Sequence, residues 1–280
     1  MKPKVSDILI GSWACIFIII LYTPFFIMLI LSFQSPEGTP TFPMKGISLF
    51  WYKKLFGISL SLKEIAQAAD EGTALGNYWG PMLRSIGLGI MTMCFSTVMG
   101  ALSALAFRKP FKASGFIFYL FLLGIITPGV SVGLGLAMFF QKMGIDHNWY
   151  STGLIGHLIW TTPFTFLIML MTFSRFDTTV EEAASVLGAS PWTTFRTVTF
   201  PIILPGIAVS ALFGFTLSFD EFIRTIFLGG SENTLPLLLL ASLTVRVTPR
   251  LYALGTVTTI FSIIIVISSL VFLTRRQKEI

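Results

Sequence analysis

The sequence predicts an all-α membrane protein, with six membrane-spanning helices and a helical hairpin on the side that carries both termini. Three observations lead there. Of 280 residues, 54% are hydrophobic and only 11% charged, against about 25% charged in soluble domains. The apolar residues fall in runs too long for a single aqueous core of this size to hide. One polar connection between two of these runs carries the punctuation of two short capped helices.

A spanning helix needs roughly 20 mainly apolar residues, since a rise of about 1.5 Å per residue must cross about 30 Å of hydrocarbon. Six stretches qualify: Ile8 to Leu31, Ser85 to Phe107, Phe116 to Phe140, Thr152 to Phe173, Ile203 to Leu228 and Leu251 to Leu273. The first follows Lys2 and Lys4 and looks like a secretion signal. At 24 residues it exceeds the roughly 7 to 15 of a signal core, and no small-x-small cleavage site follows, so it is expected to be a retained anchor. Gly124, Pro128, Gly129, Gly133 and Gly135 interrupt the third stretch, as membrane helices tolerate where they line a cavity. The segment Ser32 to Pro81, with Trp51 and Tyr52, has too few apolar residues for a domain and is expected to form short helices over one membrane face.

Charge sets the orientation. With six spans both termini share a side, which carries ten Lys and Arg against five acids, a net +5; the opposite side carries nine against eight, a net +1 over longer loops. Short loops rich in Lys and Arg stay in the cytoplasm, so both termini are expected inside. The overall +6 thus reflects membrane orientation and not nucleic acid, because the basic residues gather on no single face or tail. Cys15 and Cys94 lie within apolar runs and offer neither a disulfide framework nor a zinc site.

The connection Ser174 to Ile202 reads SRFDTTVEEAASVLGASPWTTFRTVTFPI. Thr178 with Glu181, and Thr179 with Glu182, each fit a capping box. Val180, Ala183, Ala184 and Leu187 share one small apolar face. Gly188 suits a left-handed helix end. Ser190 offers a second N-cap, with Pro191 at the first helical position, and Trp192, Phe195 and Thr199 share a face before Pro201 and Pro205 break the pattern; a helix, a turn and a second helix entering span five are expected. The pattern alone fits a coupled element or a plain interfacial hairpin equally well.

The order of residues separates the two. Glu182-Ala183-Ala184, three residues, Gly188, nine residues and Val198-Thr199-Phe200-Pro201 resembles the signature of binding-protein-dependent ABC importer permeases of type I, with Val198 and Phe200 where the family has isoleucine and leucine. The resemblance covers about Met82 to Leu273. It implies the type I permease fold: a first helix (1–31), a periplasmic segment (32–81), a five-helix core (82–273) with its coupling loop (174–202), and a cytoplasmic tail (274–280). It also implies that Glu182, Ala183, Ala184, Gly188, Pro191 and Trp192 dock on an ATPase subunit. The implied partners are two ATP-binding subunits, a second and non-identical permease, a periplasmic solute-binding protein and the lipid bilayer of a bacterial inner membrane. No cofactor, metal or catalytic residue is expected in this chain.

Span five holds Asp220, Glu221 and Arg224. Read as a continuous helix, it puts Asp220 roughly 20 Å from the cytoplasmic side. Acids at depth cost on the order of 2.5 to 3.5 kcal/mol each and face a cavity or a partner. Arg224 stands four residues from Asp220 and three from Glu221 and suits either as an internal ion pair. One arginine cannot neutralise both, so one carboxylate is left for the translocation path and a cationic solute, with Phe215, Phe219 and Phe222 as cation-π neighbours and Trp160 as a lining residue on span four. Ser218-Phe219-Asp220-Glu221, Thr234-Leu235-Pro236 and Ala253-Leu254-Gly255-Thr256 are similar to the second permease subunit of spermidine/putrescine-type importers, and the signature extends to permeases for opines and phosphonates.

Other chemistry finds little footing. His147 and His157 are isolated and make a poor metal site. No GxxxxGK[ST] loop is present for ATP, and no HExxH or GxSxG for an intramembrane enzyme. The rival class is a self-contained secondary transporter with Asp220 or Glu221 as ion or proton carrier.

Overall fold

The computed structural model describes residues 5–36, 44, 46–59, 78–245 and 248–277, and among them the regular elements are all helices, joined by turns, with one isolated bridge between Gln34 and Ile47. The elements are α1 (Val5–Leu31), α2 (Phe50–Leu55), α3 (Trp79–Ala106), α4 (Ser114–Ile126), α5 (Gly129–Lys142), α6 (Thr152–Ser174), α7 (Thr179–Val186), α8 (Pro191–Thr194), a π-helical turn (Phe195–Thr199), α9 (Phe200–Phe219), α10 (Ile223–Leu228), α11 (Leu235–Val245) and α12 (Pro249–Gln277). Five helices are long and apolar enough to cross a membrane, and the bent pair α4 and α5 supplies a sixth span when counted as one. The all-α, six-span expectation therefore holds. Lys2, Lys4 and the end of the tail lie outside the described residues, as does much of the segment 32–81.

The chain divides into two compact units. The first comprises Met1–Gly76 and Leu239–Ile264. Here α1 is exposed along almost its whole length, as suits a helix whose solvent is lipid. The turn after it is pinned to α2, where the Trp51 indole donates to the Gln34 carbonyl at 2.7 Å and Ser32 Oγ shares a 2.6 Å bond with Tyr52 Oη. This α2 is one short helix in the segment where short helices were expected; most of the rest of that segment lies outside the described residues.

The second unit comprises Asn77–Leu238 and Ile265–Ile280, and its core is the trio α3, α6 and α9. Lipid gives no hydrophobic drive for helices to associate, so close packing by small residues must do it. A Cβ on Gly100 would lie 2.7 Å from the Phe166 backbone nitrogen, and one on Gly206 would lie 2.3 Å from Thr172 Oγ1. The approach also allows Thr165 Oγ1 to donate to the Ser96 carbonyl at 2.7 Å. Around these contacts Ala104, Phe166, Met169, Phe173 and Ile203 form the buried core, with Phe121 stacked on Phe166.

Two of the six predicted spans are broken, the third where its glycines and Pro128 were expected to interrupt it and the fifth where a continuous helix was expected. The third bends by 101° between Ile126 and Gly129. Pro128 forces Thr127 out of the helical region, to ψ 129°, as a residue before proline requires. The fifth ends at Phe219 and resumes as α10 at Ile223. The two breaks meet, because α5 packs against α10. A Cβ on Gly133 would lie 2.7 Å from the Phe227 ring.

Candidate functional site

Two regions at opposite ends of α9 carry the side chains that the sequence singles out. A 20-residue helix at about 1.5 Å per residue separates them by roughly 30 Å, one hydrocarbon thickness.

At the first end the connection folds as two short helices around a glycine turn. Gly188 adopts φ +83°, its amide donates to the Ser185 carbonyl, and the Ala189 amide donates to that of Ala184, which is a Schellman ending. Ser190 caps the second helix by accepting from the Thr193 amide at 3.2 Å, with Pro191 in the first turn. The expected capping boxes do not form. Neither Thr178 nor its neighbour receives an acid in return; instead Asp177 Oδ1 accepts from the Thr179 amide at 3.0 Å, and Glu181 is drawn elsewhere by an arginine. The second helix does enter span five, as expected, despite Pro201 and Pro205. The π-helical turn, in which the Phe200 amide reaches the Phe195 carbonyl, takes up the register ahead of Pro201, so the chain runs on into α9.

Glu181 points inward. Its carboxylate accepts two bonds from the Arg108 guanidinium, at 2.6 and 3.0 Å, and one from Thr199 Oγ1 at 2.5 Å. The guanidinium itself lies over the rings of Phe173 and Phe176, 5.4 and 4.9 Å from their centroids. Arg108 above all, with help from Thr199, holds the Glu181 carboxyl below its ordinary pKa, although partial burial acts the other way. Glu182, Ala183, Gly188, Pro191 and Trp192 are exposed and Ala184 is half-buried. Leu187 is 87% and Trp192 68% exposed, with the Trp192 ring stacked on Phe195. The expected Val180, Ala183, Ala184 and Leu187 face is thus turned mostly outward.

At the other end the two adjacent acids part company. Glu221 is 8% and Arg224 3% exposed. Glu221 accepts from the Arg224 backbone amide and from its Nη1, both at 2.9 Å, so of the two pairings open in the sequence the i,i+3 one forms. Trp160 lies beneath the arginine, 4.4 Å from ring centroid to guanidinium carbon. His157 bridges Ser218 Oγ at 2.7 Å and Thr225 Oγ1 at 2.9 Å, a packed histidine within a polar network that also includes Thr92.

Asp220 remains. It sits one residue past the end of α9, exposed, with no ion pair among the described residues. Phe219 is buried against Phe215, their rings parallel at 5.6 Å, whereas Phe222 is partly exposed. The structure therefore brings Trp160, Glu221 and Arg224 together and leaves Asp220 and Phe222 accessible. Sequence reasoning missed Arg108 and Thr199, which lie 73 and 18 residues from Glu181. It also missed Glu232, which joins Arg84 at 3.3 Å and the Trp149 indole at 2.9 Å. No group of His, Cys, Asp and Glu among the described residues has metal-binding geometry.

Residues 96–279 match the family described as binding-protein-dependent transport system inner membrane component. The chain is 28% identical over 251 residues to the spermidine/putrescine transport system permease protein PotC of Escherichia coli K12, spanning 89% of this chain and 88% of that one. It is 27% identical to the putrescine transport system permease protein PotI of the same organism, over 84% and 80% of the two chains. A bacterial ABC transporter involved in the import of the acidic polysaccharide alginate shares the fold, with a TM-score of 0.64 at 17% identity over 96% of both chains.

Proposed function

The chain belongs to the binding-protein-dependent transport system inner membrane component family, and on that premise we propose that it is a permease subunit of an ATP-driven importer for a small cationic, amino-bearing solute, a polyamine first among them. It is a multi-pass inner-membrane protein and catalyses no covalent step. ATP hydrolysis belongs to two partner subunits that dock on the hairpin, and a periplasmic binding protein delivers solute to a path shared with a second, non-identical permease. Both termini face the cytoplasm, in line with the net +5 on their side of the sequence.

The observation that carries the solute class is the separation of the two acids at the end of α9. Arg224 neutralises Glu221 in the interior, so Arg224 no longer repels a cation and Asp220 keeps an uncancelled negative charge where it is accessible. Asp220 is then the solute contact, with Phe222 beside it as an apolar and cation-π surface. The polyamine relatives PotC and PotI support this choice of solute. A secondary transporter is not favoured, because it leaves the exposed Glu182, Leu187 and Trp192 without a partner.

The test is purification from native membranes. An ATPase subunit and a second permease are expected to co-purify with the chain, and Glu182→Arg, reversing an exposed charge on the hairpin, is expected to release the ATPase while leaving the permease pair intact. A chain that purifies alone and transports alone would overturn the proposal.

A further inference from the structure

We propose that Glu181 is the positioning residue that couples the hairpin to the membrane helices, by clasping Arg108 and Thr199. The inference rests on the importer reading above and names how movement of the docked hairpin reaches the bundle.

Polar contact holds α7 to the helices behind it. None of its side chains is buried, so its hold on the bundle is not apolar packing. A cavity of about 270 Å³, with Arg108, Phe173 and Thr178 in its lining, lies beside the joint, and no residue of α7 lines it. What α7 does have is one carboxylate saturated by three donors. Arg108 lies two residues past α3, Thr199 is the residue before α9, and Phe173 and Phe176 flank the end of α6. A single acid thus ties α7 to the ends of all three core helices. A two-point guanidinium–carboxylate contact also fixes direction, so it resists both push and pull, which sliding apolar contacts do not. Thr199 closes the π-helical turn, and π segments are tolerated where a helix must change register. A displacement of Glu181 is therefore delivered to the π-helical turn that leads into α9, whose far end is followed by Asp220.

The neighbouring Glu182 is exposed and forms no ion pair among the described residues. The two acids of the hairpin face different partners, Glu182 the docked subunit and Glu181 the chain's own helices.

The experiment uses the complete transporter in liposomes, with binding protein and putrescine, and measures ATP hydrolysed per solute imported. Glu181→Gln and Arg108→Gln are expected to retain the ATPase subunit and its hydrolysis while import falls on the order of ten-fold, the size of losing a charge-assisted contact. Thr199→Val, which removes one donor of three, gives a smaller rise in the ratio. The exchange Glu181→Arg with Arg108→Glu recovers most of the import. An unchanged ratio in the single variants would sink the clasp as a coupling element, and so would loss of the ATPase from them, which makes Glu181 an assembly residue. If the wild-type chain itself brings down no ATPase, it is the importer reading that fails.

Discussion

Adjacent acids stand at both ends of the path that α9 defines, Glu181 and Glu182 before it and Asp220 and Glu221 after it, and in both pairs one acid turns inward to an arginine while the other stays exposed. The inward partner differs. Glu221 takes Arg224 from three residues away, in a pair almost wholly buried; Glu181 takes Arg108 from 73 residues away, with the two side chains about one-fifth exposed. The first pair is local and stabilises a break in one helix. The second is long-range and joins elements. The lesson is that a doubled acid in a sparsely charged chain marks one structural and one outward-facing carboxylate, and that neighbouring donors decide which is which.

The largest effect is expected where the buried pair is broken. Arg224→Ala leaves Glu221 in the interior without its counter-charge, keeping only the backbone amide of residue 224, a loss of about 3 to 5 kcal/mol, enough to lower the yield of folded protein sharply. Restoring neutrality with Glu221→Gln in the same chain is expected to recover much of the thermal stability, since the cost lies in the stranded charge. If the double variant is as unstable as the single, the stacking of Arg224 on Trp160 outweighs its charge, and the likeness between the two acid pairs is only formal.

The next largest separates Asp220 from its neighbour. Asp220→Asn is expected to raise the apparent KM for putrescine uptake about ten-fold, as the loss of roughly 1.4 kcal/mol of contact energy would, with folding unaffected. Glu221→Gln is expected to alter stability before affinity. The reverse assignment, with KM tracking Glu221 alone, would mean that the outward acid is not the solute contact.

The legibility of these features in the sequence follows from their range. Gly188, Ser190 and Pro191 were readable because a Schellman turn and an N-cap are set by residues within one turn of each other. The Glu221 to Arg224 pair was readable as one of two local options. The Glu181 clasp was not, since nothing in the string connects Arg108 to it, and local reasoning instead assigned the acids to capping boxes. The breaks in spans three and five were visible only as glycines, a proline and charges. Whether such residues kink, cut or merely line a helix depends on the neighbour they meet, here α5 against α10.

The smallest effect concerns protonation, and it tests whether the clasp holds α7 at all. Arg108 is the principal cause of the lowered Glu181 pKa, with Thr199 assisting and partial burial opposing. A carboxyl lowered in the folded state binds fewer protons there than when unfolded, so its contribution is fully present above its ordinary value of 4.5 and is lost as pH falls through the lowered one. Hydrogen-exchange protection of the Glu182 and Leu187 amides, which donate within this helix, is expected to stay level from neutrality to about that ordinary value, once intrinsic exchange is divided out, and to drop below it. Glu181→Gln should begin lower and lack that step. Asp177, whose pKa is also lowered, chiefly by the Thr179 amide, titrates nearby; because it acts on the first turn alone, Asp177→Asn should leave the step at Leu187 in place. A step that survives Glu181→Gln and vanishes with Asp177→Asn would assign the hold on α7 to its first turn, and the two ends of α9 would no longer share a design.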